Sequence, residues 1–440
     1  MKPSGSLVGR YESAFDEFAL GVLDIGTSIS PSRILLVLLF FLPFLDFTGD
    51  EPIDLAKHIL FRTLAVGLLT YSIVVVAIKG GRRFPALSLG LPLTAYAATA
   101  FLSVASAVLN SRIAGNRAFL ALATLPMLIS FLYVTPYWVN TRQMVLKGVR
   151  VLLLSVLTAG LIGLAEIALH FLLPAQIPIR VSSVFHDPNI FSRFLATGIF
   201  FAGALLLFNV HDVFPRKALW LILSVSFVCL FFTLSRSGTG TVLVGVVLLA
   251  LLAKRRKLAL FLALLVPILG MLALAFLIYA RQFGNNAFIE PSNINRIQLI
   301  IAGLDMIRQH WLLGIGYTNY SYVFVQSYFN STMAVSLVNY EMLGYQTSIH
   351  NWLIEVWAEQ GIFGVVGFVW FFGSLFRRLR AARARSVDKT LQAILAGYTL
   401  MFFAFLFHGF FYHTFISQFF FWVNAGFATA AITAANRENS

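Results

Sequence analysis

The chain has 440 residues, 59% of them hydrophobic and only 11% charged, with a formal net charge of +14. Soluble domains run near roughly 25% charged residues, so a water-facing globular fold is excluded. The apolar residues form continuous blocks without period-two alternation, which excludes a membrane β-barrel as well.

The first 30 residues carry Glu12, Asp16, Glu17 and Asp24 and lack the basic-then-apolar layout of a cleavable leader. Phe15, Phe18, Ala19 and Val22 share one helical face, so this arm is expected to lie along the membrane surface. Apolar blocks of roughly 20 residues then follow, the length that crosses a hydrocarbon core, where only helices satisfy every backbone amide. Spans are expected at about 33–47, 59–79, 87–109, 118–138, 149–173, 190–209, 218–234, 237–253, 258–280, 350–376, 390–410 and 415–435. The first is short. The fold class is therefore an all-α polytopic membrane protein of about 12 transmembrane helices, one membrane domain over residues 1–440.

With both termini inside, about two-thirds of the 32 Lys and Arg fall on the inner side, the positive-inside signal. Lys254–Lys257 and the loop Arg377–Arg385 are the strongest anchors and read as topological rather than as ligand sites. The basic excess thus asks for membrane lipids and for no nucleic acid. The single cysteine, Cys229, lies in an apolar block, where it reads as a small core residue. A disulfide within the chain and a structural zinc site are excluded on ligand count.

Between spans nine and ten lies a long segment, 281–349, expected to be a structured periplasmic loop. It holds Asn285, Asn286, Asn293, Asn295, Asn319, Asn330 and Asn339 beside Trp311, Tyr317, Tyr320, Tyr322, Phe324, Tyr328 and Tyr340. Aromatic faces stack on pyranose rings and amides bond hydroxyls, so the mixture suits a sugar. Ile297, Ile300, Ile301, Leu304 and Ile307 predict an amphipathic helix over about 292–310, and Gly314 and Gly316 mark the turn after it. Long loops with structure of their own are usually functional.

Charges on the outer side are few. Arg180 sits in the loop after span five; Asn189 and Arg193 share a face as span six begins; Arg236 lies in the tight hairpin between spans seven and eight. Arg281, Arg296 and Arg308 belong to the long loop. A guanidinium binds phosphate through paired parallel hydrogen bonds, so arginines converging from separate outer loops fit a diphosphate at the outer leaflet. Each also has a plainer reading, as a head-group contact or a partner of Asp187 or Glu166. His350 opens span ten with Asn351 beside it, and Thr347 or Ser348 is available as the N-cap. A helix N-terminus disfavours the imidazolium, and a neutral imidazole can accept a proton. Glu355 and Glu359 lie roughly 7.5 and 13.5 Å deeper along the same helix and read as partners of buried donors. His408 and His413 read as satisfied core or interface residues. No metal site is supported by ligand spacing.

His350-Asn351, nine residues, Gly361, two residues and Gly364 resemble the histidine motif of the O-antigen ligase superfamily. Arg180 followed by Phe185-His186-Asp187-Pro188-Asn189 is similar to a second element of that family, and Ser235-Arg236-Ser237-Gly238 to a third. Arg296 with Gly314-Ile315-Gly316 resembles the start of its periplasmic loop. The resemblance covers roughly residues 150–420 and implies a metal-independent, inverting glycosyltransferase without cofactor in the bacterial inner membrane, its active site facing the periplasm. The donor it implies is an undecaprenyl-diphosphate-linked glycan. Arg180 and Arg236 would bind the diphosphate, and His350 would be the catalytic base. Asn189, Arg193, Arg296 and Asn351 are further candidates for donor or acceptor binding. The acceptor would be lipid A-core in a ligase, or a growing glycan in a repeat-unit polymerase. A transporter or flippase for an anionic lipid-linked glycan is the alternative of another class. It would call for ionisable or broken sites at mid-membrane in several helices, whereas this chain gathers its polar groups at one face and in one loop.

Overall fold

The computed structural model describes residues 30–45, 52–79, 84, 89–113, 115–172, 180–283, 290–327, 348–411 and 419–437. Among these, every regular element is helical. The first five helices are α1 (Pro31–Phe41, running into a 3-10 turn at Leu42–Leu45), α2 (Pro52–Lys79), α3 (Gly90–Leu109), α4 (Gly115–Trp138) and α5 (Arg142–Leu172). The middle of the chain gives α6 (Pro188–Leu207), α7 (Arg216–Phe232), α8 (Arg236–Leu252) and α9 (Arg256–Phe283). The long segment contributes α10 (Glu290–His310) and α11 (Tyr320–Ser327), and the chain ends on α12 (Trp352–Arg385), α13 (Lys389–Gly409) and α14 (Phe419–Arg437).

Each expected span overlaps a helix. Seven of the described helices are long and apolar enough to cross a membrane: α2 to α6, α12 and α13. Of the others, α1 is 11 residues long and α7 and α8 are 17 each. Exposed Leu260, Phe261, Leu264, Met271 and Leu272 on α9, or Leu161, Leu169 and Phe171 on α5, would be costly in water; against lipid they are the ordinary outer surface. The centre of the bundle is α6, 83% of whose apolar stretch is buried, with α13 next at 72%. α6 packs on α7, α8 and α13, while α12 packs on α3, α10 and α13.

Three expectations are corrected. The basic run Arg377–Arg385 is the last stretch of α12, not a loop, and only residues 386–388 join it to α13. Arginine is a good helix former, and its charge suits the negative end of the helix dipole. α5 likewise starts at Arg142 rather than near 149. Arg142 there bonds Asp388 and reaches Asp212 at 2.8 Å, tying α5 to the connection before α7 and to the cap of α13.

The amphipathic helix of the long segment is present as α10, but its faces differ from the prediction. Leu299, Ala302, Met306 and Ile307 are buried, whereas Ile297, Ile301 and Leu304 are exposed. The inner face builds a small core of its own with Ile315, Tyr320, Phe324, Ile349 and Ala358. The arm holding Phe15 to Val22, the segments 284–289 and 328–347, and His413 lie outside the described residues.

Candidate active site

Three chain segments are locked together before any functional side chain is placed. Glu166 on α5 accepts the backbone N–H groups of Ser182 (3.2 Å) and Ser183 (2.7 Å), and Phe185 stacks on Phe191. The loop from Arg180 to Asp187 is thereby fixed against α5 and α6. Its start pairs with the end of α7: Val181 N–H donates to Phe232 O at 3.0 Å, and Arg180 Nε to Thr233 O at 3.4 Å. Arg180 is exposed and its guanidinium stands three residues of backbone from Arg236, the first residue of α8. Arg236 is also exposed, and among the described residues neither arginine forms an ion pair. Glu166 is thus spent on backbone amides rather than on Arg180.

Between α7 and α8 the turn is three residues long, and Leu234 adopts a left-handed φ of 50°. A non-glycine residue held there costs on the order of 1–2 kcal/mol, a strain that collects at functional sites. Ser235 then caps α8 by accepting Gly238 N–H and donates to Asn189 Oδ1 at 2.8 Å. Ser192 lies 3.1 Å from Ser235 Oγ, and Ser237 Oγ is 3.0 Å from Nε2 of the fully buried His408. The N-termini of α6 and α8 and the C-terminus of α13 are so joined by one chain of hydroxyls, an amide and an imidazole, which orients the turn bearing Arg236. Sequence reading placed His408 at an interface but missed this chain, because Ser235 and Ser237 meet Asn189 and His408 only in the tertiary fold. Asn189 is 7% exposed and committed to that chain. Arg193, one turn deeper, is 3% exposed with its guanidinium 4.9 Å over the Phe405 ring, so it packs between α6 and α13 rather than opening to the surface.

His350 is placed differently from the expectation. The N-cap of α12 is Asn351, whose Oδ1 accepts Leu353 and Ile354 N–H at 3.1 and 3.2 Å and whose Nδ2 donates to Phe410 O at 3.4 Å. Ser348 instead bonds Glu355 Oε2 at 3.1 Å. His350 therefore precedes the helix, in a left-handed conformation with φ of 56°. Its imidazole is pushed down to about 4, first by burial and then by the charge of Arg296 on α10, against an opposing pull from Asp187 at the cap of α6. Charges on two other elements, Arg296 and Asp187, thus act on His350, and Asp187 also accepts the backbone N–H of Asn189.

The long segment, which carries Arg296, is tied to α12 by an exchange of backbone bonds. α12 is interrupted at Gly361, with φ 68° and ψ −171°. The carbonyls freed by the break accept Ile315 and Gly316 N–H at 2.9 Å each, and Ile362 N–H donates to Trp311 O at 2.9 Å. Glu359 accepts the N–H groups of Thr318 (3.0 Å) and Tyr320 (3.1 Å), capping α11 from a neighbouring helix. Glu359 does partner a buried donor, then, while the donor to Glu355, the Ser348 hydroxyl, is only half-buried. The side chains of the segment suited to a sugar fare less well: Tyr317, Tyr320, Phe324 and Asn319 are all buried, while Trp311 stays 56% exposed. Among the described residues no cluster of three His, Cys, Asp or Glu stands at metal-binding geometry.

Residues 219–369 match the family model described as O-antigen ligase. The matched stretch, about a third of the chain, contains Arg236, Arg296, His350, Asn351 and Gly361; Arg180, Asn189 and Arg193 lie before it. It bears out the resemblance carried by the histidine and Ser-Arg-Ser-Gly motifs, and with the apolar helices it supports a multi-pass membrane protein of the ligase or polymerase type. No curated protein matches the chain in sequence.

Proposed function

We propose that this chain, similar over residues 219–369 to O-antigen ligases, is an inner-membrane glycosyltransferase that works at the periplasmic face. The donor is a glycan on an undecaprenyl diphosphate, and the acceptor is a sugar hydroxyl of lipid A-core. The observation that carries the reading is that Asp187, whose charge acts on His350, caps α6 beside Asn189, and Asn189 in turn accepts from Ser235, the neighbour of Arg236. The acceptor oxygen attacks the anomeric carbon on the face opposite the diphosphate. The carbon–oxygen bond to phosphate breaks with its electron pair, configuration inverts, and the hydroxyl proton passes to the His350 imidazole. Arg180 and Arg236 hold the diphosphate before the reaction and neutralise the charge that grows on it during bond breaking. A growing lipid-linked glycan as acceptor makes the same site a repeat-unit polymerase. Transport is disfavoured, since the one described helix break has its freed carbonyls taken by Ile315 and Gly316.

Arg236→Ala and Arg180→Ala are each expected to weaken donor binding by about 10- to 100-fold, the worth of a charge-assisted hydrogen bond. Lysine at either position should restore only part of it, because a point charge cannot form two parallel bonds. Direct binding of the lipid diphosphate to purified variants is the measurement. Wild-type affinity in both alanine variants overturns the diphosphate assignment. Sidedness has its own check on a Cys229→Ala background. A cysteine placed at 330 should label from outside intact inner membranes, and one at 387 only after disruption; the reverse pattern inverts the topology.

A further inference from the structure

At the other ends of the helices that bear the site lies a cavity of about 560 Å³. Leu207 and Phe208 from the end of α6, Leu252 and Ala253 from the end of α8, and Ala384 from α12 form its apolar wall. Lys254 and Arg255 from the α8–α9 turn, Arg383 from α12 and Lys389 from the start of α13 supply four cations, and no carboxylate lines it. The nearest acid along the chain, Asp388, is committed to Arg142 and to the cap of α13. We propose that this cavity is a binding site for the phosphate head group of an anionic phospholipid, with an acyl chain along its apolar wall.

Two further observations point the same way. Lys254 occupies the position just past the end of α8 with φ of 58°, and its N–H bonds Leu251 O while Arg255 N–H bonds Ala250 O. Glycine is the usual residue in that geometry, since it avoids the left-handed penalty. The lysine there carries a side chain that lines the cavity, at a backbone cost glycine would avoid. Lys389 meanwhile lies in the first turn of α13, where the helix dipole repels a cation. The placement of Lys389 is unfavourable alone and is relieved by an anion in the cavity. Arg383 fixes the geometry by donating to Leu252 O at 3.1 Å, which joins two walls of the cavity. Free phosphate shares the head-group chemistry, but the apolar wall of Leu207, Phe208 and Leu252 favours a lipid. Basic pockets between helices on the inner side of a membrane bind such lipids.

The test uses the full chain purified in a zwitterionic detergent, titrated with cardiolipin, phosphatidylglycerol, phosphatidylcholine or inorganic phosphate, with intact complexes counted by mass spectrometry. The anionic lipids should bind and phosphatidylcholine should not. Lys254→Gly and Lys389→Gln should each weaken binding about fivefold, and together about 25-fold, at roughly the worth of one basic residue at a membrane surface. Because Lys254→Gly removes a strained φ, it should unfold at a temperature no lower than wild type, so lost binding cannot be misfolding. Unchanged anionic-lipid binding in the folded double variant overturns the site. Displacement of the lipid by millimolar inorganic phosphate overturns the lipid assignment.

Discussion

His350→Ala is expected to lower glycosyl transfer by about 10²- to 10⁴-fold, the usual worth of a positioned base, while donor affinity stays near wild type. The separation follows from position, because the imidazole sits outside α12 and the diphosphate is assigned to Arg180 and Arg236. A pH profile adds a signature that a structural histidine would not give. The base works when neutral, and burial with Arg296 holds its value near 4 rather than the ordinary 6.5. In kcat/KM, which reports the free enzyme, the acid limb should therefore fall near pH 4. A bound diphosphate brings negative charge beside Arg296, favours the imidazolium and raises the value, so the acid limb of kcat should lie at higher pH. Removing the Arg296 charge with Arg296→Gln should move the kcat/KM limb upward as well. A folded His350→Ala protein with near wild-type transfer removes the base assignment, and a kcat/KM limb at 6.5 contradicts the local electrostatics.

Gly361→Ala is expected to destabilise the protein by on the order of 3 kcal/mol and to abolish transfer with it. The backbone at φ 68°, ψ −171° is open essentially to glycine alone, and a Cβ there would lie 2.0 Å from Leu312 O. Gly314, at φ 72°, sits in turn against the backbone of Glu359 and Gln360, so two glycines allow two main chains to touch. Neither neighbour is a flexible side chain that swings aside. Forcing them apart breaks the bonds from Ile315 and Gly316, and with them the docking on α12 of the segment that carries Arg296. Gly373→Ala, in the same helix with open space around it, is the control; it should be neutral or stabilise by up to about 1 kcal/mol. Thermal unfolding in detergent and amide exchange at Ile315 and Gly316 read the difference. Equal stability of the two variants would show that the break does not hold the segment.

Helix positions were legible in this sequence because apolar runs and basic joints are strong signals, and the α7–α8 turn appeared at its true length. Helix faces were not. On α10, Ile297 and Leu299 are alike in chemistry, and only the packing of that helix on α12 decides that Leu299 is inside. The polar residues with the right chemistry were visible, yet which are spent on structure was not. Asn351 ends as a cap, Arg193 under Phe405, and Asn189 in a hydroxyl chain whose other members come from α8 and α13. Gly361 stood out as a motif residue, but its reason lies in the carbonyl of Leu312, about fifty residues earlier in the chain.

The shortness of α7 and α8 has a consequence for the surrounding lipid. At 17 residues each, they span only about 25 Å at 1.5 Å per residue, against a hydrocarbon thickness of roughly 30 Å. On the proposed topology, Arg236 at their shared tip would therefore be drawn below the level of the outer head groups unless the bilayer thins around the hairpin. Thinning costs a fraction of a kcal/mol per Å of mismatch, whereas stranding a guanidinium in hydrocarbon costs several times more. The bilayer yields first. A dimple on the outer leaflet at this hairpin would lower a lipid's diphosphate toward the arginine, while its long isoprenoid tail stays among the acyl chains beside α7.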